Sequence, residues 1–341
     1  MLLKIEGFKL KNKVQNIIII VLAVLAMSAT KHKTTIFMIG DSTMANKPYD
    51  NEKPERGWGM ALQGFFTDAI VVDNHAVNGR SSKSFIDEGR WQVVYDKITP
   101  GDYVIIQFGH NDEKPKEDRH TAPGTTFDAN LTKFITETRE RGGIPILMNA
   151  VVRRNFEIKA EVNDDDEKLR DTQFTGTKKK EGDVLIDTHG DYIVAPRNVA
   201  AATNTVFVDA NRVTHNLEQG LGPEKSKLLH MWFKPGENPS IPNGREDNTH
   251  YNVYGAHVVA GLLVDEIAVA VPALRKYVRH YDYIVANDGK GNYMDLQKAV
   301  DEAPMGKKTT IRVLNGEWRR PIIPKGKKIK FSLSENAKFI K

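Results

Sequence analysis

The chain of 341 residues contains no cysteine. That excludes a disulfide framework, a thiolate nucleophile and a lipid-anchored cysteine. It also lacks an HExxH motif and a histidine triad, leaving a metal reading only two loose pairs, His110/Asp112 and Asp247/His250. No metal site is expected. The glycine fingerprints of P-loop and dinucleotide-binding proteins are absent, as is the GxSxG elbow of another hydrolase class. Long apolar runs are scarce. The exception is Ile17–Met27, eleven residues where a bilayer span needs about 20. Lys4, Lys9, Lys11 and Lys13 precede it and Ser28 and Ala29 follow, the order of a secretory signal peptide. Residues 1–30 are therefore expected to be a cleaved signal, with no stable membrane insertion afterwards. Secretion without cysteine suits a bacterial periplasm or exterior.

The formal charge of +5 invites a nucleic-acid reading, but its distribution argues against one. Residues 1–30 carry a net +3, and residues 281–341 hold 13 Lys/Arg against 7 Asp/Glu. The 250 residues between total −4, so the main domain shows no basic footprint and no nucleic-acid partner is expected.

Thr34–Gly40 is a short apolar run ending in glycine, which reads as a buried strand and a turn. Similar runs recur at Ala69–Val72, Tyr103–Phe108, Ile144–Ala150 and Thr205–Val208. Between them, Phe127, Leu131, Phe134 and Ile135 have helical spacing, and Gly142–Gly143 closes that helix. A long amphipathic helix fits Val253–Val271, with Val258, Val259, Leu262, Leu263 and Ile267 on one stripe. Strands alternating with helices imply a parallel sheet covered on both faces, with a site beyond the carboxyl ends of its strands. Three polar clusters fall there: Gly40–Thr43, Asn78–Ser81 and Gly109–Asp112. Arg153–Asp183 and Lys234–Asn248 read as loops, and after Tyr281 the chain becomes basic and β-leaning.

Acyl transfer needs an activated hydroxyl, an oriented base, and donors aimed at the developing oxyanion. Ser42 sits in a strand-to-helix turn, Gly79 allows close backbone approach, and Asn111 offers an amide donor. Asp247 and His250 lie three residues apart before the last helix, so one turn can hold both. Each has a bland alternative: Ser42 or Asp247 as a helix cap, Asn111 and Asp112 as turn residues, His110 as a buried support. Arg80 reads equally as a uronate contact or as the partner of an acidic neighbour. Met231 and Trp232 read as a sugar-stacking wall or, preferably, as a buried anchor for the Pro-rich loop.

The blocks Gly40-Asp41-Ser42-Thr43, Asn78-Gly79-Arg80-Ser81, Gly109-His110-Asn111-Asp112 and Asp247-Asn248-Thr249-His250 resemble the four conserved blocks of the SGNH/GDSL hydrolases. Together with Arg153–Phe156 and Thr188–Tyr192, they look most like rhamnogalacturonan acetylesterases over residues 34–275. The resemblance implies a flavodoxin-like three-layer α/β/α fold, with Ser42 as nucleophile, His250 as base and Asp247 as its partner. It implies an oxyanion hole from the Ser42 and Gly79 N–H groups and the Asn111 side chain, and no cofactor. Residues 157–181 depart from the pattern as a charged insertion.

Val285–Tyr293, Leu296–Pro304 and Thr310–Glu317 resemble the opening of pectin methylesterases, which fold as parallel β-helices. About 60 residues of that kind imply an incomplete β-helix start, residues 281–341, beside an esterase domain of residues 31–280. No methylesterase activity follows, and the segment is expected to be dispensable for esterase chemistry. The pairing points to an acetylated pectic polysaccharide as substrate. The alternatives are an esterase for another acylated sugar or small ester, and a non-catalytic pectin-binding module.

Overall fold

The computed structural model describes residues 33–49, 53–157, 166–176 and 181–341. The expected signal peptide lies outside the described residues, as does much of the charged insertion. In chain order the strands of the first part are β1 (Thr34–Gly40), β2 (Glu55–Arg56), β3 (Ile70–Asn74) and β4 (Tyr103–Gln107). They continue with β5 (Ile144–Met148), β6 (Val206–Val208), β7 (His230–Phe233) and β8 (Arg245–Asn252).

Five of these form the central sheet, in the order β3-β1-β4-β5-β6. The ladders β1–β4, β4–β5 and β5–β6 are parallel. β4 is buried along its whole length, which explains its apolar stretch Tyr103–Ile106, and its one polar residue, Gln107, is hydrogen-bonded where it is buried. Alternate residues feed two cores. Ile36, Met38, Ile105 and Met148 pack on one side with the helix Val253–Ala270. Phe37, Ile39, Ile106 and Leu147 pack on the other with the helix Thr126–Glu140. The result is the expected three-layer α/β/α arrangement. Winding reverses at β1, whose sequence neighbours in the sheet lie on opposite sides of it, so the turns after β1 and β4 part and leave a crevice.

The helix Thr126–Glu140 buries Phe127, Leu131, Phe134 and Ile135 at the spacing read from the sequence. In Val253–Ala270, Val259, Leu263 and Ile267 are buried, but Leu262 is exposed and Val264 takes its place in the core. This helix is long and apolar enough to cross a bilayer, contrary to the sequence reading, yet here it is a half-buried core helix.

The stretch Lys234–Asn248, read as a loop, is a loop only up to Gly244. β8 begins at Arg245 and pairs antiparallel with β7 on one side and β2 on the other. Its residues, Arg-Glu-Asp-Asn-Thr-His-Tyr-Asn, have no apolar alternation, so the strand was invisible to pattern reading.

The last 60 residues form β9 (Tyr283–Val285), β10 (Lys308–Val313), β11 (Gly316–Arg319), β12 (Lys328–Leu333) and β13 (Ala337–Ile340). They make two parallel ladders: β9-β10-β12, and β11-β13. Lys308 lies opposite Lys328 and Gly316 opposite Ala337, so this turn of the coil repeats after about twenty residues, while the preceding one, with Tyr283 opposite Ile311, is longer by the helix Leu296–Glu302 that it carries. Val285, Leu296, Val300, Ile311, Val313 and Trp318 fill a small core of their own.

This coil is tied to the α/β part. Ile284, Ala286 and Leu314 belong to the same core cluster as Leu62, Phe65 and Leu263. Gly64 is required there, because a Cβ would lie 2.6 Å from Ile284 Cδ1. Arg312 pairs with Asp68 at 2.6 Å, and Arg56 Nε donates to the Gly289 carbonyl at 2.9 Å. Such packing bears on stability and not on the esterase chemistry for which the segment is expected to be dispensable: a short parallel coil buries one of its faces on the α/β part for want of enough neighbouring turns.

Candidate active site

The turn after β1 is fixed before it is functional. Asp41 Oδ1 accepts from the Thr43 N–H at 2.9 Å and the Thr43 hydroxyl at 2.8 Å. Behind it, Trp58 Nε1 donates to Gln107 Oε1, and Gln107 Nε2 to Thr43 Oγ1, at 2.8 and 3.0 Å. Ser42 is thereby held at the carboxyl end of β1 with its hydroxyl turned to β8.

His250 Nε2 lies 3.0 Å from Ser42 Oγ, and His250 Nδ1 lies 2.8 Å from Asp247 Oδ2. The Asp247 Oδ1 atom accepts from the Thr249 and His250 N–H groups, each at 2.9 Å. One carboxylate therefore fixes both the backbone and the ring of the base. The ladder explains how three-residue spacing achieves this on a strand. Met231 pairs with Asp247 and its neighbour His230 with Tyr251, so Asn248, Thr249 and His250 bulge from β8. The cap of the following helix is Asn252, whose side chain accepts from the Gly255 N–H, and not Asp247.

The bulge has an anchor that the sequence did not reveal. Asn248 Oδ1 accepts from Arg154 Nη1 at 2.9 Å and from Trp232 Nε1 at 2.8 Å. The Arg154 N–H also donates to the Asn248 carbonyl at 2.9 Å, and its buried guanidinium pairs with Glu181 at 2.7 Å. In the sequence Arg154 and Asn248 both stood inside segments that carry the resemblance, Arg153–Phe156 and Asp247–His250, with no contact between them to be read. Trp232 is occupied accordingly: Arg154 and Lys227 lie over its ring at 5.4 and 4.9 Å.

Gly79 is buried at φ 71°, in a turn closed by the Arg80 N–H on the Val77 carbonyl. Only glycine adopts that conformation without strain. Asn111 Nδ2 approaches the Arg80 carbonyl at 3.3 Å, so the turns after β3 and β4 touch. Arg80 itself pairs with Glu88 at 3.0 Å and stays about a third exposed.

Asp112 joins the same turns: its carboxyl accepts from the Ser82 N–H at 3.0 Å, the Thr121 hydroxyl at 2.9 Å and the Gly109 N–H at 3.2 Å. Burial pushes it up to about 7 in spite of these donors. His110 packs edge-on to His189 at 4.5 Å. Burial, then the charges of His189 and Arg153, hold its imidazole well below the ordinary range, so it is neutral at pH 7. Among the described residues no three His, Asp or Glu side chains converge as metal ligands.

A buried ion-pair cluster flanks this site. Lys47 Nζ bonds Asn78 Oδ1 and lies 3.1 Å from Glu55 Oε1. Glu55 also meets Arg170 at 2.7 Å and Arg245 at 3.4 Å. Burial alone would raise Glu55, but Lys47, His250 and Arg170 together hold its carboxyl well below the usual range. Neither Lys47 nor Glu55 stood out in the sequence, because a lone charge in a polar stretch reads as surface.

The GDSL-like Lipase/Acylhydrolase family model matches residues 38–258, which contain every residue of this site. The chain belongs to that family. This GDSL-family hydrolase is similar to the rhamnogalacturonan acetylesterase RhgT of Bacillus subtilis, 36% identical over 76% of the chain and 98% of the relative. It is also similar to the probable rhamnogalacturonan acetylesterase YesY of the same organism, 31% identical over 68% and 91%. Among solved structures, protein YxiM of Bacillus subtilis has a TM-score of 0.54 at 23% identity, over 71% of this chain and 58% of that one, and bears on the fold. The family makes the protein a carboxylic ester hydrolase, and β9–β13 lie beyond the matched region.

Proposed function

We propose that this hydrolase removes acetyl groups from rhamnogalacturonan or a related pectic polysaccharide. The observation that carries the reading is the buried relay Asp247–His250–Ser42, at 2.8 and 3.0 Å, in a chain similar to rhamnogalacturonan acetylesterases. Ser42 Oγ attacks the acetyl carbonyl carbon while His250 Nε2 takes its proton, and Asp247 steadies the imidazolium. The carbonyl oxygen becomes an oxyanion, received by the Ser42 N–H, the Gly79 N–H and the Asn111 amide. Collapse breaks the ester bond; the sugar oxygen leaves with the proton from His250, and the acetyl group stays on Ser42. Water, deprotonated by His250, then releases acetate and restores the serine. No step calls for a cofactor. The protein acts outside the cytoplasm, where a polymeric substrate is met.

Acetate release from acetylated rhamnogalacturonan, acetylated xylan and a chromogenic acetate tests the substrate. The pectic polymer is expected to give a kcat/KM at least about tenfold above the xylan, the value of roughly one well-made pocket discrimination. Equal rates on all three would leave an esterase without the proposed preference.

A further inference from the structure

We propose that Lys47 is a positioning residue that couples the oxyanion side of the active site to its acid–base side. The inference rests on the serine-esterase reading above.

Lys47 follows the Ser42 turn by five residues, and its side chain is almost wholly buried. Its ammonium reaches in two directions. On one side it donates to Asn78 Oδ1, in the residue that directly precedes Gly79. On the other it meets Glu55 at 3.1 Å, and Glu55 lies on β2, opposite Asn252 in the ladder with β8. Arg56 of β2 pairs with Tyr251, the residue after His250. One ammonium thus spans the turn that presents Gly79 and the strand pair that carries the base.

A buried lysine is an expensive brace. Burial pushes Lys47 down to about 8, with Glu55 offsetting part of the effect. A hydrophobic residue would fill the same space without that desolvation cost. The charges that face Lys47 are Glu55 from β2, Asp41 from the end of β1, and Arg170 from the helical turn Asp166–Asp171. Arg245 and His250 act on it through Glu55. Burial first, and then Arg170, hold the ammonium less firmly charged than a surface lysine, yet at pH 7 it keeps its proton. A fixed positive charge beside the Gly79 turn favours the oxyanion that forms in the transition state and does little for the neutral ester.

The pH dependence has a definite sign. As pH rises through about 8, Lys47 loses its proton and kcat is expected to fall with it. Lys47→Met keeps the length and removes the charge. On a chromogenic acetate at pH 7 it should lower kcat by roughly 10- to 100-fold, with KM changed by less than about threefold. Its Tm should fall, because Glu55 and Asn78 lose the buried ammonium they meet, and its kcat should show no decline near pH 8. Glu55→Gln is the second variant. It removes the charge that raises Lys47, so the alkaline decline of kcat should move to lower pH. A structural brace alone would lower kcat in Lys47→Met and leave the alkaline decline of both variants where it is in wild type. That result, or an undiminished kcat in Lys47→Met, would overturn the proposal. Wild-type protein without esterase activity would instead refute the serine-esterase reading.

Discussion

Asn111 and Asp112 stand side by side and have opposite duties. In the proposed mechanism the Asn111 amide is offered to an oxyanion that exists only in the transition state. Asn111→Ala should therefore lower kcat by roughly 10²–10³ with little change in KM. Steady-state kinetics on a chromogenic acetate check this, and a rise in KM alone would make Asn111 a ground-state contact. Asp112 serves the fold. Its carboxyl, ordinarily near 3.8, is raised to about 7, so the folded state holds a proton that the unfolded chain releases. That contribution to stability is complete below about pH 4 and is lost as pH rises through about 7. Asp112→Asn should flatten this slope, which melting curves of both proteins between those pH values would reveal. An unchanged slope would mean that Asp112 is already ionised, with its donors outweighing burial.

At the scale of elements, the β7–β8 pair decides whether His250 meets Ser42. Its bulge is held from outside by Asn248, between Arg154 and Trp232. Asn248→Ala leaves the buried Arg154 short of an acceptor, a loss of about 1–3 kcal/mol. It should also loosen His250, so kcat falls more than KM changes. Thermal melting and kinetics on one preparation read both effects. This pair is also where sequence and structure part. β1 and β4 were legible because burial on both faces demands a mostly apolar stretch, Ile36–Ile39 in one and Tyr103–Ile106 in the other. β8 was not, because its side chains serve the site: Asp247, Asn248 and His250 occupy positions that an ordinary strand fills with valine or isoleucine. The chemical blocks could be read before the elements that carry them, since Ser42, Asp247 and His250 are recognised by type and order. Lys47, Glu55 and Arg154 could not, because their burial comes from chain segments far apart in sequence.

For the molecule as a whole, the C-terminal coil is the open question of architecture. Removing residues after about Arg279 would take Ile284, Ala286 and Leu314 out of the core cluster that also holds Leu62 and Phe65. Their burial is worth roughly 4 kcal/mol by area, and the Arg312–Asp68 pair goes with it. The truncated chain is expected to melt several degrees lower while retaining the relay. A Tm equal to that of the full chain would show the coil to be an independent appendage. The relay itself lies within residues 42–250 and needs no atom from the coil.

The central claim is that Ser42 is the nucleophile of an acetylesterase. The most direct measurement is kcat for acetate release from acetylated rhamnogalacturonan by Ser42→Ala, set beside wild type, with melting curves to establish that both are folded. The account predicts a loss of about 10⁴–10⁶-fold at an unchanged Tm. A folded Ser42→Ala protein that keeps more than about a tenth of wild-type activity, far above any residual rate from binding and the oxyanion donors alone, would contradict it.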